Sequence, residues 1–199
     1  VVLPSMGSTK MRLSSVELSS MAKDNFRYRT QKILQILLVV YVGLTLVETV
    51  LLRMAGMSWF EAVCNSFSTI ATGGFCTRNA SIAAYGSLWV EMIVVFFMAV
   101  SGLHFGLIFA TLTGKSNNIF RSEISRYYVL SLLFGGLIVS VSLWASDMYP
   151  TFASSMRYGF FQVVSVSSTT GFATADSSVW TPLAIMVLTL FTMQCACAG

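Results

Sequence analysis

The sequence predicts an all-α membrane protein made of repeated units, each a helix, a short half-helix with a glycine-rich loop, and a second helix. Three observations carry that reading. Of 199 residues, 55% are hydrophobic and only 10% are charged, against about 25% charged in an ordinary soluble domain. Mean hydropathy is +0.75, and four apolar stretches approach the roughly 20 residues a helix needs to cross a bilayer. The chain also aligns with itself at an offset of 97 residues. So little charge argues against a soluble enzyme, a nucleic-acid binder or a disordered tail.

The first span is Ile33 to Leu52, with Gln35 and Glu48 as its main polar residues. The second, Leu88 to Leu112, is interrupted by Glu91, Ser101 and His104. The third, Tyr127 to Ala145, carries no charge, and the fourth runs from Pro182 to Gly199. Between spans one and two lies Ser58 to Ile70, a helix of about 20 Å at 1.5 Å per residue. Ser58 and Glu61 have capping-box spacing at its start. Phe152 to Ser167, after Pro150-Thr151, holds the matching place between spans three and four. Both segments are too short and too polar to cross, and each leads into a run rich in Gly, Thr and Ser. Such re-entrant backbone is tolerated at membrane depth where protein or an aqueous cavity surrounds it.

The offset of 97 residues superposes these runs. Thr72 meets Thr169, Gly74 meets Gly171, Phe75 meets Phe172 and Thr77 meets Thr174. Ser58, Ser68 and Ser81 meet Ser155, Ser165 and Ser178. A half-helix ending near the membrane centre turns its carbonyl end, about half a negative charge, into a low-dielectric cavity. A glycine-rich continuation can then line an axis with carbonyls that replace a cation's hydration shell. Two copies supply two sectors of such a ring, and four are needed.

The basic residues predict orientation. Lys10, Arg12, Lys23, Arg27, Arg29 and Lys32 precede the first span, and Lys115, Arg121 and Arg126 separate the second from the third. Only Arg53, Arg78 and Arg157 fall in the re-entrant connections. Residues 1–32 are therefore expected to be a cytoplasmic connecting segment, 33–113 a membrane repeat, 114–126 a cytoplasmic loop and 127–199 a second repeat truncated in its last helix. Both loops then face outward. The start at Val1 and the stop in apolar sequence at Gly199 raise the expectation of a piece of a longer protein.

The runs Ser68–Thr77 (STIATGGFCT) and Ser167–Thr174 (SSTTGFAT) resemble the filter loops of the Trk/Ktr/HKT superfamily of potassium transporters, nearest to the membrane subunit of the bacterial Trk system. Ala55–Ala62, Ser101–Leu107 and the terminal Cys197-Ala198-Gly199 add to the resemblance. It implies four pseudo-symmetric repeats around one pore, of which this chain is about the second and third. It also implies potassium uptake, with Rb⁺ a possible congener, at the bacterial inner membrane. The chain would then be no enzyme and would need no organic cofactor or nucleic acid. The resemblance places carbonyls of Thr72, Gly73, Gly74 and Phe75, with Thr169, Thr170, Gly171 and Phe172, along the ion path. It places the start of an intramembrane gate at Cys195, Ala196, Cys197, Ala198 and Gly199. It further implies a homodimer in the lipid bilayer and a cytoplasmic nucleotide-binding regulatory subunit. His104 stands where an amide side chain is expected, and Gly73 stands where the second loop has Thr170.

The other polar residues read more plainly. Glu48 and Glu91 are expected at the interface, Glu48 beside Arg53, rather than in an ion relay. His104 reads as a neutral histidine bonded across helices. Cys195 and Cys197 with no third ligand make a weak metal site, and neither they nor Cys64 and Cys76 have Cys-x-x-Cys spacing. Gly135-Gly136 reads as a close helix crossing. The basic stretch Lys23–Lys32 is mainly a topology signal. Two rival functions remain, a polytopic membrane enzyme using His104 or the cysteines, and a structural subunit whose loops only pack.

Overall fold

A computed structural model describes residues 34–103, 108, 111 and 123–194. The chain divides into two units, 1–39 and 40–199, and the second holds the fold described here except for the start of the first helix. His104, the 1–32 segment, most of the 114–126 loop, Cys195 and Cys197 with the rest of the expected gate lie outside the described residues.

Every regular element among the described residues is helical. Helix α1 (Leu34–Met54) is long and apolar enough to cross a membrane, as is Ser125–Ala145. The latter lies within α4 (Glu123–Ala145). The two half-helices are α2 (Trp59–Ile70) and α5 (Phe152–Ser167). Helix α3 (Leu88–Ser101) follows the first loop and α6 (Pro182–Gln194) the second. Short 3₁₀ turns, Ser81–Tyr85 and Ser177–Val179, stand between each loop and the next helix.

The half-helices start where side chains can take up their unpaired N–H groups. Ser58 Oγ accepts from the Glu61 amide at 3.3 Å, and the Glu61 carboxylate accepts from the Ser58 amide at 3.3 Å. This reciprocal box is the one the sequence spacing predicts. Thr151 Oγ1 plays the first half of that role for α5, accepting from the Ser154 amide at 3.2 Å.

One predicted element is corrected. The span Leu88–Leu112 is not continuous, because α3 ends at Ser101 and Gly102–Leu103 form a turn. Ser101 Oγ donates to the Met98 carbonyl at 2.9 Å, a local bond that competes with the helical ladder. Gly102, without a side chain, caps the end through its amide to the Met98 carbonyl. At about 1.5 Å per residue, the 14 residues of α3 fall short of a bilayer crossing.

Packing centres on α5, which lies against α4, α6 and α3, while α2 packs on α3. Phe161, Val163 and Phe172 from the second repeat meet Leu52, Val94 and Met98 from the first in one core. The glycine pair of α4 is a close crossing, as expected. A Cβ on Gly136 would stand 2.7 Å from the Phe160 ring of α5, and one on Gly135 would strike Phe191 of α6.

Candidate ion-conducting loops

The two loops leave their half-helices through the same backbone bonds. Ala71 N–H bonds to Phe67 O at 3.0 Å, and its counterpart Ser168 to Val164 O at 2.9 Å. Thr72 and Thr169 bond to Thr69 O and Val166 O, both at 3.1 Å. Gly73 and Thr170 bond to Ser68 O and Ser165 O at 2.8 and 3.0 Å. Neither half-helix has a basic residue in its last turn. The negative ends of both dipoles are thus left without a covalently attached cation.

Beyond the helix ends the backbone alternates in the same way in each copy. Thr72 (φ 51°) and Thr169 (φ 58°) are left-handed, as are Gly74 (φ 68°) and Gly171 (φ 83°). Threonine in that region is strained by about 1–2 kcal/mol, and such strain persists where the surroundings enforce it. Among the described residues the carbonyls of Gly73, Gly74, Phe75, Thr169, Thr170 and Gly171 accept no hydrogen bond. The Phe172 carbonyl instead accepts from Ser165 Oγ at 2.6 Å. The loops meet: a Cβ on Gly74 would fall onto the Thr170 carbonyl oxygen. Chemically, two adjoining strips of carbonyl oxygen without acidic or nucleophilic side chains can hold a dehydrated cation by field and number alone.

Sequence reasoning missed the supports behind these strips. The Ser81–Tyr85 turn reaches the second loop, where Ser81 Oγ accepts from the Ala173 amide at 3.2 Å and the Ala83 amide donates to Ala173 O at 3.3 Å. Asn65 Nδ2 donates to Tyr85 Oη at 3.1 Å, and that hydroxyl shares a bond with Thr77 Oγ1 at 3.1 Å. The pairings of Ser68 with Ser165, Thr77 with Thr174 and Ser81 with Ser178 at the 97-residue offset were the available signals.

The acidic residues depart from expectation. Glu91 is not a free interfacial group; it is buried, and Arg157 of α5 grips it at 2.6 and 2.7 Å across 66 residues of chain. Glu48 is not beside Arg53, whose guanidinium donates to Met57 O at 2.8 Å and lies over Trp59. It is fully buried on α1, next to Thr49, which shares a hydrogen bond with Ser66 of α2 at 2.6 Å. Glu61 pairs with Arg78 at 2.8 Å, and that guanidinium holds its carboxyl below the ordinary range. No group of three metal-ligating side chains occurs among the described residues.

Known proteins share this sequence and fold. Residues 1–140 match the TrkH family, described as cation transport proteins. The Trk system potassium uptake protein TrkH of Salmonella typhimurium is 36% identical over 191 residues, 95% of this chain and 39% of that protein. TrkH of Halomonas elongata is 34% identical over all of this chain and 41% of its own length. The crystal structure of the potassium transporter TrkH from Vibrio parahaemolyticus superposes with a TM-score of 0.77 at 28% identity, over 82% of this chain and 36% of that one. The chain thus spans about two fifths of the length of the curated relatives it matches. Together with its apolar helices, this makes it a membrane protein, and it belongs to the TrkH family of cation transport proteins.

Proposed function

We propose that the chain forms two adjoining sectors of a potassium-selective filter in the membrane subunit of a bacterial Trk-type uptake system. The observation that carries this reading is the repeated Thr-x-Gly loop. Each copy follows an uncompensated half-helix terminus, has the same left-handed pair and meets the other copy at Gly74 and Thr170. The names of the relatives, potassium uptake proteins, support the choice of ion.

Carbonyls of Thr72, Gly73, Gly74 and Phe75, and of Thr169, Thr170, Gly171 and Phe172, line the path and offset the dehydration of K⁺ or Rb⁺. Residues 1–32 and 114–126 lie in the cytoplasm, and the repeats 33–113 and 127–199 sit in the inner membrane with both loops outward. Cys195 to Gly199 begin the gate. A homodimer and a cytoplasmic nucleotide-binding regulatory subunit complete the assembly on the strength of family resemblance.

The test is growth at limiting potassium of a bacterium lacking its own uptake systems, rescued by the full reading frame that carries this chain. Gly74→Ser and Gly171→Ser are compared at matched membrane abundance, with ⁸⁶Rb⁺ and ²²Na⁺ uptake. Loss of Rb⁺ uptake or admission of Na⁺ is expected. Parental transport by both variants would make the loops packing elements and end this reading.

A further inference from the structure

The Ser81–Tyr85 turn belongs to the first repeat yet bonds to the loops of both. Toward the second loop it takes up both backbone groups of Ala173. Ser81 Oγ accepts from the Ala173 amide at 3.2 Å, and the Ala83 amide donates to the Ala173 carbonyl at 3.3 Å. Ala173 directly follows Phe172, so these bonds act one residue away from the ion path proposed above. Toward the first loop, Tyr85 Oη shares a bond with Thr77 Oγ1 at 3.1 Å and accepts from Asn65 Nδ2 of α2 at 3.1 Å. Asn65 is fully buried, which ties the hydroxyl to the half-helix.

The turn is itself held in place. Ile82, next to Ser81, is fully buried in the core. The Ser81 amide donates to the Arg78 carbonyl at 3.0 Å, and the Arg78 guanidinium lies 4.7 Å from the centre of the Tyr85 ring. Ser81 is left-handed (φ 54°), a conformation that persists where the surroundings enforce it. The second repeat lacks this arrangement among the described residues. Pro182 stands at the position matching Tyr85, and Gln162 Oε1 and Thr174 Oγ1, on the counterparts of Asn65 and Thr77, are buried without a partner. Ser178, the counterpart of Ser81, donates to Asp176 of its own repeat at 2.6 Å.

We propose that this turn is a strut that sets the second filter loop in position from the first, with Ser81 and Tyr85 as positioning residues for ion selectivity. Neither touches the ion. Tyr85 fixes the turn to α2 and Thr77, and Ser81 passes that position on to Ala173. Selectivity by carbonyls depends on how many reach the ion and with what field, so loosening either contact costs discrimination before it costs folding.

The inference rests on the filter reading above, and its test uses the same full reading frame at matched membrane abundance, read as the Rb⁺/Na⁺ uptake ratio. Tyr85→Phe deletes only the hydroxyl, and Ser81→Gly deletes the acceptor while relieving the left-handed strain. Each is expected to lower the ratio about fivefold, the scale of one net hydrogen bond. Because the two contacts act in series, the double variant is expected to fall no further than either alone. Thr77 is exposed and tolerates exchange. Thr77→Val, without the hydroxyl, is expected to match Tyr85→Phe, and Thr77→Ser to keep the parental ratio. A parental ratio in both Tyr85→Phe and Ser81→Gly overturns the proposal, and so do losses that multiply in the double variant. Equal ratios in Thr77→Val and Thr77→Ser also overturn it, whether or not the other variants reach the membrane. If Gly74→Ser and Gly171→Ser leave selectivity intact, the filter reading itself has failed. If they disturb it while Tyr85→Phe and Ser81→Gly do not, only this inference has.

Discussion

The two glycine-rich loops share a backbone and differ in what stands behind it. Phe172 is fully buried, its carbonyl tied to Ser165, and its loop is held from outside by Ser81 and Ala83. Phe75, at the equivalent position, is 83% exposed, and Ser68 Oγ, the counterpart of Ser165, has no partner. Thr170 is buried with its hydroxyl on Ser168 at 2.8 Å, whereas Gly73 offers no side chain at all. The conformation is therefore encoded by the Thr-x-Gly motif, and its rigidity by neighbours that differ from one repeat to the next. If the loops form the proposed filter, it is only loosely symmetric, which calls for weaker coordination than a strict fourfold ring.

The largest expected effect separates the signature glycines. Both have positive φ, so any side chain is strained there by roughly 1–2 kcal/mol. Gly74 adds a collision, since its Cβ would overlap the Thr170 carbonyl oxygen, while a Cβ on Gly171 meets nothing within 4 Å. Gly74→Ser is expected to bring Rb⁺ uptake to background, and Gly171→Ser to leave measurable but less selective uptake. Equal damage from both would show that the junction between loops carries no more weight than the strain within them.

Next comes the clamp that, among the described residues, ties the second half-helix and not the first to a neighbouring helix by an ion pair. Arg157 joins α5 to α3 through Glu91, whose side chain is 5% exposed. Arg157→Ala leaves that carboxylate buried and unpaired, a loss of roughly 3–5 kcal/mol for a fully buried pair. Because 32% of the arginine side chain is exposed, we expect about 2 kcal/mol, read as a lowered Tm in detergent. Adding Glu91→Gln should restore part of it, and no recovery would mean that the arginine acts through packing. The matched serines give a smaller contrast. Ser165→Ala is expected to cost about 1 kcal/mol and to lower the Rb⁺/Na⁺ ratio, and Ser68→Ala to do neither. Parity between them would remove the difference in backing drawn above.

Much of this was legible in the residues. The bounds Phe152–Ser167, the Ser58–Glu61 box and the Gly135-Gly136 crossing each follow from local chemistry or from small side chains in an apolar run. Hydropathy did not reveal the end of α3, because Gly102 is as compatible with a continuous apolar window as any small residue. The burial of Glu48 and the Glu91–Arg157 clamp were also out of reach. Each depends on a partner helix brought alongside by folding, and spacing along one helix cannot distinguish an interfacial acid from a buried one. The loop conformations were readable from the glycines, but the left-handed threonines were not, since threonine ordinarily avoids that region.

The half-helix caps offer the gentlest contrast, and it turns on pH. Helix α2 opens with a carboxylate, Glu61, bonded to Ser58 at 2.9 Å and to Arg78 at 2.8 Å. Helix α5 opens with Thr151 and Ser154, and no acidic residue lies in its first turn. Arg78 first, and Ser58 after it, hold the Glu61 carboxyl below its ordinary value of 4.5. A lowered folded value means that the unfolded chain takes up the proton first as pH falls. The cap's full contribution is therefore present above about 4.5, shrinks below it and is gone once pH has passed the lower folded value. Arg78 is exposed and Glu61 only partly buried, so the effect on Tm should be small and should weaken with added salt. Glu61→Gln should remove this part of the acid dependence while lowering the Tm slightly at neutral pH. Thr151→Ala should lower the Tm by a similar amount at every pH. If the acid dependence survives Glu61→Gln unchanged, it arises elsewhere in the molecule and the two caps do not differ in the way their side chains indicate.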